Sequence, residues 1–141
     1  MGAGTVMAFD FGTRRIGVAV GETEVQLAHP LPGIVGEIAQ QRFAAIEALI
    51  LEWQPAHLVV GLPLATDGAA HPMTARAQRF ARQLNGRFGL PVHLVDERYT
   101  SVDAQATLTQ QGVYGKAARD QLDSAAAQLI LEQWFLQEPQ A

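Results

Sequence analysis

Residues 7–22 read "MAFDFGTRRIGVAVGE", and the fold turns on this stretch. Two short apolar runs, TVMAFD at 5–10 and IGVAV at 16–20, are joined by the glycine-containing turn FGTRR. β-Branched and aromatic residues on either side of a tight turn form a β-hairpin. Asp10 closes the first strand, and Arg14 and Arg15 lie in the turn. An aspartate before Phe-Gly serves as a turn former or as a ligand, so its role depends on what the other strands bring beside it.

Working outward, VQLAHPLPGIV at 25–35 offers a third strand, which Pro30 and Pro32 confine to an edge or shorten. From Glu37 to Gln54, Phe43, Ile46, Leu49, Ile50 and Trp53 recur at helical spacing until Pro55 ends the pattern. HLVVGLP at 57–63 is a buried strand running into a loop that continues through TDG at 66–68. A second helix is expected from about Pro72 to Arg87, closed by Gly89 and Pro91, and PVHLVDE at 91–97 is another strand. Thr100 and Asp103 cap a helix reaching Gln111, Gly112 and Gly115 break it, and a last helix begins near Asp120 and runs through SAAAQLILEQWF. Strands separated by helices require crossover connections and parallel pairing, whereas the opening hairpin is antiparallel. The expectation is a single α/β domain over residues 1–141: a mixed five-stranded sheet, an N-terminal antiparallel meander plus parallel strands, flanked by helices.

A chain of 141 residues with 48% hydrophobic content buries a core for one domain. It has no cysteine, which excludes disulfides and thiolate metal sites. Neither a signal peptide nor an apolar run of membrane-spanning length is present, so a soluble cytoplasmic protein without membrane contact is expected. The net charge of -4 argues against binding nucleic acid through overall positive charge. Local patches are another matter, because nine of the ten basic residues are arginine, whose planar fork suits phosphate.

Functional groups in such sheets gather at the carboxyl ends of the strands. Asp10 ends the first strand; Asp96 and Glu97 end the strand at 92–95, and alternation lets only one of them share the side of His93 and Val95. Asp123 shares a helical stripe with Ala127, Ile130 and Trp134, so it points toward the sheet. Taken singly, each acid has an ordinary structural explanation as a turn former, a strand-end charge or a first-turn helix acid. Together they are harder to dismiss, since carboxylates turned toward a packed face need hydrogen bonds, protons or a cation. Oxygen donors without histidine or thiolate suit Mg2+ or Mn2+, and neighbouring arginines point to metal-assisted phosphodiester cleavage. His29, His57, His71 and His93 lack metal-binding spacing, and Trp53 and Trp134 fall in helical apolar patterns that read as core.

Four blocks, "DFGTRRIGVAVGE", "VVGLPLATDG" with "TARAQRFARQL", "VDERYTSVDA" and "LDSAAAQLILEQWF", occur in the order and spacing of the YqgF/RuvX family, and the chain resembles that family over nearly its whole length. The resemblance implies an RNase H-like fold and a nuclease, either in processing the 5' end of pre-16S rRNA during ribosome biogenesis or as a Holliday junction resolvase. It implies that Asp10, Glu97 and Asp123 are catalytic metal ligands, which favours Glu97 over Asp96, for two Mg2+ or Mn2+ ions. Arg98 and Thr100 then contact phosphate or support the ligands, while Gly61, Pro63, Asp67 and Gly68 border the substrate groove. Relatives often carry a basic residue just before the final aspartate; here Asp120, Gln121 and Leu122 stand there, leaving Lys116 and Arg119 as substitutes. Arg14 and Arg15 are candidate phosphate contacts. The implied partner is nucleic acid, pre-rRNA or branched DNA, with the ribosome as a further partner and with monomer and homodimer both open.

Two other function classes stay in view. "DFGT" followed by Gly17 resembles the phosphate hairpin of sugar kinases and actin-like ATPases, but these need a second domain, and no P-loop is present. A non-catalytic RNA- or ribosome-binding module would keep the fold without cleaving anything.

Overall fold

The computed structural model describes residues 4–63, 72–96 and 115–137, with side chains in the last segment from Ser124 onward. Three strands open the chain, β1 (Thr5–Phe11), β2 (Arg15–Glu22) and β3 (Leu27–Val35). Helix α1 (Ala39–Trp53), β4 (His57–Leu62), α2 (Thr74–Phe88), β5 (Val92–Asp96) and α3 (Gly115–Gln137) follow. The expected helix from Thr100 to Gln111 lies outside the described residues.

The sheet has the order β3-β2-β1-β4-β5. β1 pairs antiparallel with β2 and parallel with β4, and β4 pairs parallel with β5, giving the mixed sheet the sequence implied. β3 is an edge strand and still runs nine residues despite its two prolines. The reason is a register break: Ile16 pairs with Ile34 but Val18 with Leu31, so β3 carries an extra residue around Pro32 and Gly33. A bulge absorbs a proline that cannot donate to the ladder.

Alternation divides the core in two. Met7 and Phe9 of β1 and Ile16 and Val18 of β2 pack with Phe43, Ile46, Phe80 and Leu84 under α1 and α2. Val6 and Ala8 of β1 and Ala19 of β2 pack on the opposite side with Ala127, Ile130, Leu131 and Trp134 of α3. β2 therefore turns Gly17, Ala19 and Gly21 toward α3, a strip of small residues that lets the helix come close. A Cβ added at Gly21 would lie 2.4 Å from the Leu27 carbonyl oxygen and 3.1 Å from both Leu131 and Phe135.

Two sequence expectations change. α3 starts at Gly115 rather than near Asp120; a glycine is tolerated at a helix start, and Lys116, Ala117, Ala118 and Arg119 all favour helix. Trp53, expected in the core, is 38% exposed at the last turn of α1, whereas Trp134 is buried. Among the described residues, no helix is long and apolar enough to cross a membrane.

Candidate active site

The topology sends several chain segments to one edge of the sheet. β1, β4 and β5 end there with Phe11, Leu62 and Asp96, β2 begins there with Arg15, and β3 ends there with Val35 opposite Arg15. Asp10 follows Val6 and Ala8 in alternation and so takes the α3 side of the sheet. Across β2 its partner is Gly17. Across β4, where Phe9 pairs with Val60, the next step of the parallel register brings Gly61. Gly61 in turn pairs with Val95, which packs on the α3 side. The half-buried Asp10 carboxylate thus stands in a row with a glycine on each flank. Bare backbone on both sides marks a place where a ligand or another chain approaches closely.

α3 runs over this face with a fixed polarity. Its Leu131 and Phe135 lie above Gly21, while Ser124 meets Val18, so the helix start points toward Gly17 and Asp10. Asp123 is the residue before Ser124, one turn ahead of the buried Ala127. Ser124 is itself buried and fills the bulge of β3: its hydroxyl donates to the Leu31 carbonyl oxygen and accepts from the Val18 N–H at 3.5 Å. One side chain thus satisfies backbone groups that the register break takes out of the β2-β3 ladder. Replacing Ser124 by Ala should cost about 1–3 kcal/mol, the usual range for orphaning buried polar groups, read as a lower urea midpoint at unchanged m-value.

The other expected site residues divide between placed and outside the description. Arg14 is exposed and Arg15 half-buried in the hairpin turn, where the Arg14 carbonyl accepts from Gly36 N–H at 2.8 Å. Gly61 is buried in β4, and the Pro63 carbonyl accepts from the Thr74 hydroxyl at the start of α2. Asp96 falls on the side of β5 opposite to Val95, as the alternation argument required of one of the two acids. Glu97, Arg98, Thr100, Asp67 and Gly68 lie outside the described residues, as do the side chains of Lys116, Arg119 and Asp123. Among the described residues no group of three His, Cys, Asp or Glu side chains comes together.

One group escaped the sequence reading. Arg42 of α1 is only 8% exposed and donates to the Gly12 carbonyl in the hairpin turn, its guanidinium lying 5.1 Å over the Phe11 ring. Its position four residues before Ile46, on the apolar stripe of α1, was the available signal.

A central strand flanked by an antiparallel meander and a parallel pair, with an acid at its end facing a helix, defines the RNase H-like fold. T. thermophilus RuvC in complex with a Holliday junction substrate has the same fold, with TM-score 0.56 and 20% identity over 93% of both chains. Fowlpox virus resolvase, solved with its Holliday junction DNA, matches with TM-score 0.55 and 8% identity over 94% of this chain and 99% of that one. The chain belongs to the RuvX family, whose model, described as Holliday junction resolvase, matches residues 4–137. A relative from Chromobacterium violaceum, named "Putative pre-16S rRNA nuclease", is 57% identical over 93% of this chain and 96% of its own length. One of the same name from Dechloromonas aromatica is 55% identical over 94% and 90%.

Proposed function

We propose that this chain is a divalent-metal-dependent endonuclease that hydrolyses phosphodiester bonds in the precursor of 16S rRNA. The observation that carries the reading is the Asp10 carboxylate at the carboxyl end of the central strand, flanked by Gly17 and Gly61 and facing the helix that bears Asp123. Asp10, Glu97 and Asp123 are the donors assigned to one or two Mg2+ or Mn2+ ions; an all-oxygen set without cysteine suits these hard cations. When bound, such ions supply Lewis-acid charge for attack by water and for departure of the leaving oxygen. The protein's own part is positional. The glycines leave room for a sugar-phosphate chain to lie against the sheet edge, and Arg14 and Arg15 bring positive charge to the phosphates beside it.

RNA is preferred over a DNA junction because the relatives above 50% identity carry the rRNA name, whereas the resolvases at 20% identity or less share only the fold. Labelled pre-16S rRNA and a four-way DNA junction, each incubated with Mg2+ or Mn2+, separate the two. Cleavage of the RNA alone is the expected result. Cleavage confined to the junction moves the assignment to resolution of branched DNA, and cleavage of neither leaves a binding module on the ribosome or its RNA.

A further inference from the structure

On the side of the sheet away from α3, a cavity of about 380 Å3 opens between α1 and α2 at the same strand edge. Its floor is apolar, formed by Phe11 and Phe80, and three arginines line it: Arg42, Arg76 and Arg79. Arg76 and Arg79 are exposed and lie one turn apart on α2, whereas Arg42 is more than nine-tenths buried. The Arg42 Nη2 is used by the Gly12 carbonyl, but its Nε is buried without an acceptor among the described residues. A buried guanidinium N–H left unmade is costly, and among the described residues no acceptor oxygen bonds to it. Burial also pulls the Arg42 guanidinium below its ordinary value, against an opposing pull from Glu37 at the cavity rim.

The amino end of α1 borders the same space. Ala39, the first residue of α1, lines the cavity, the N-cap position Ile38 makes no side-chain cap, and the first turn of α1 carries no acid. The leading amides of a helix in that state, next to guanidinium forks, favour a multi-oxygen anion. The volume matches a phosphate with part of the group that carries it, and the Phe floor suits the apolar face of a sugar or base.

We infer that this cavity is a phosphate-binding pocket in which the Arg42 guanidinium, Arg76, Arg79 and the amino end of α1 hold one phosphate group of a nucleotide unit. Glu37 at the rim competes with the incoming anion for Arg42. The pocket does not depend on whether the acidic edge cleaves nucleic acid, because it lies on the other face and needs no metal.

The test reads the Nε–H signal of Arg42 in 15N-edited NMR of the full chain during titration at constant ionic strength. The probes are inorganic phosphate, uridine 5'-monophosphate and a short single-stranded oligoribonucleotide. Saturable movement of that signal is expected, weakened roughly tenfold or more in the Arg76→Gln/Arg79→Gln double variant and strengthened several-fold in Glu37→Gln. Because Arg76 and Arg79 are exposed, the double variant keeps the fold, which the remaining spectrum checks. Tighter saturation by the oligonucleotide than by the mononucleotide identifies a phosphate of the nucleic-acid backbone, and the reverse identifies a free nucleotide. An Arg42 signal unmoved by all three probes, or moved equally in the double variant, overturns the pocket.

Discussion

Asp10→Asn should lower cleavage of labelled pre-16S rRNA by roughly 100-fold or more while leaving the thermal transition close to that of wild type. Groups that merely orient the ligands of a metal site typically cost 10–100-fold when mutated, so loss of a carboxylate proposed to bind the ion itself should cost at least as much. The amide keeps the shape of the side chain and removes its charge, which isolates the electrostatic role from packing. Stability should change little because Asp10 is half-buried at a strand end and the amide has the size and shape of the carboxylate it replaces. Single-turnover cleavage across a range of Mg2+ and Mn2+ concentrations, with near-UV circular dichroism to verify the fold, provides the measurement. A variant with wild-type rate would remove Asp10 from the chemistry and return it to the role of turn former.

The second large effect concerns Phe80 and falls on stability. Phe80 of α2 is 3% exposed and touches three other rings: Phe9 at 5.9 Å and nearly perpendicular, Phe11 at 4.8 Å and Phe43 at 6.0 Å. It therefore joins the central strand to both covering helices at one point. Phe80→Ala should cost about 3–5 kcal/mol, combining lost transfer energy with a cavity that three rigid rings refill poorly. For a domain of this size the loss corresponds to a melting temperature lower by about 10–17 °C. That is a substantial part of the roughly 5–15 kcal/mol that holds a typical domain together. Calorimetry of the variant checks the figure; a drop of only a few degrees would mean that α1 and α2 close over the gap.

The contrast between what was legible in the sequence and what was not follows contact distance along the chain. The β1-β2 hairpin was readable because its pairs, Asp10 with Gly17 among them, are a few residues apart and bracket a glycine turn. Pro30 and Pro32 correctly marked β3 as an edge, but not its bulge, since that depends on which residues of β2 oppose it. The Gly61 flank of Asp10 was not readable, because it arrives through a parallel crossover whose register the hairpin does not determine. Arg42 and Ser124 went unnoticed because their partners, Gly12 for the first and Leu31 and Val18 for the second, lie 30, 93 and 106 positions away. An arginine in an amphipathic helix and a serine in an alanine-rich one look solvated until the sheet is assembled. Trp53 erred in the other direction, as its stripe on α1 extends past the end of the surface it covers.

The Ser124 hydroxyl has a mechanical meaning as well. A helix lying on small residues meets little resistance to sliding along its own axis, and one turn of slippage displaces it by about 5.4 Å. Reactive geometries tolerate errors of only about 0.5 Å. A single hydroxyl seated in the bulge between Val18 and Leu31 works as a detent: it fixes how far along the sheet α3 is parked. The imperfection in the β3 ladder is therefore what sets the position of the helix over the sheet.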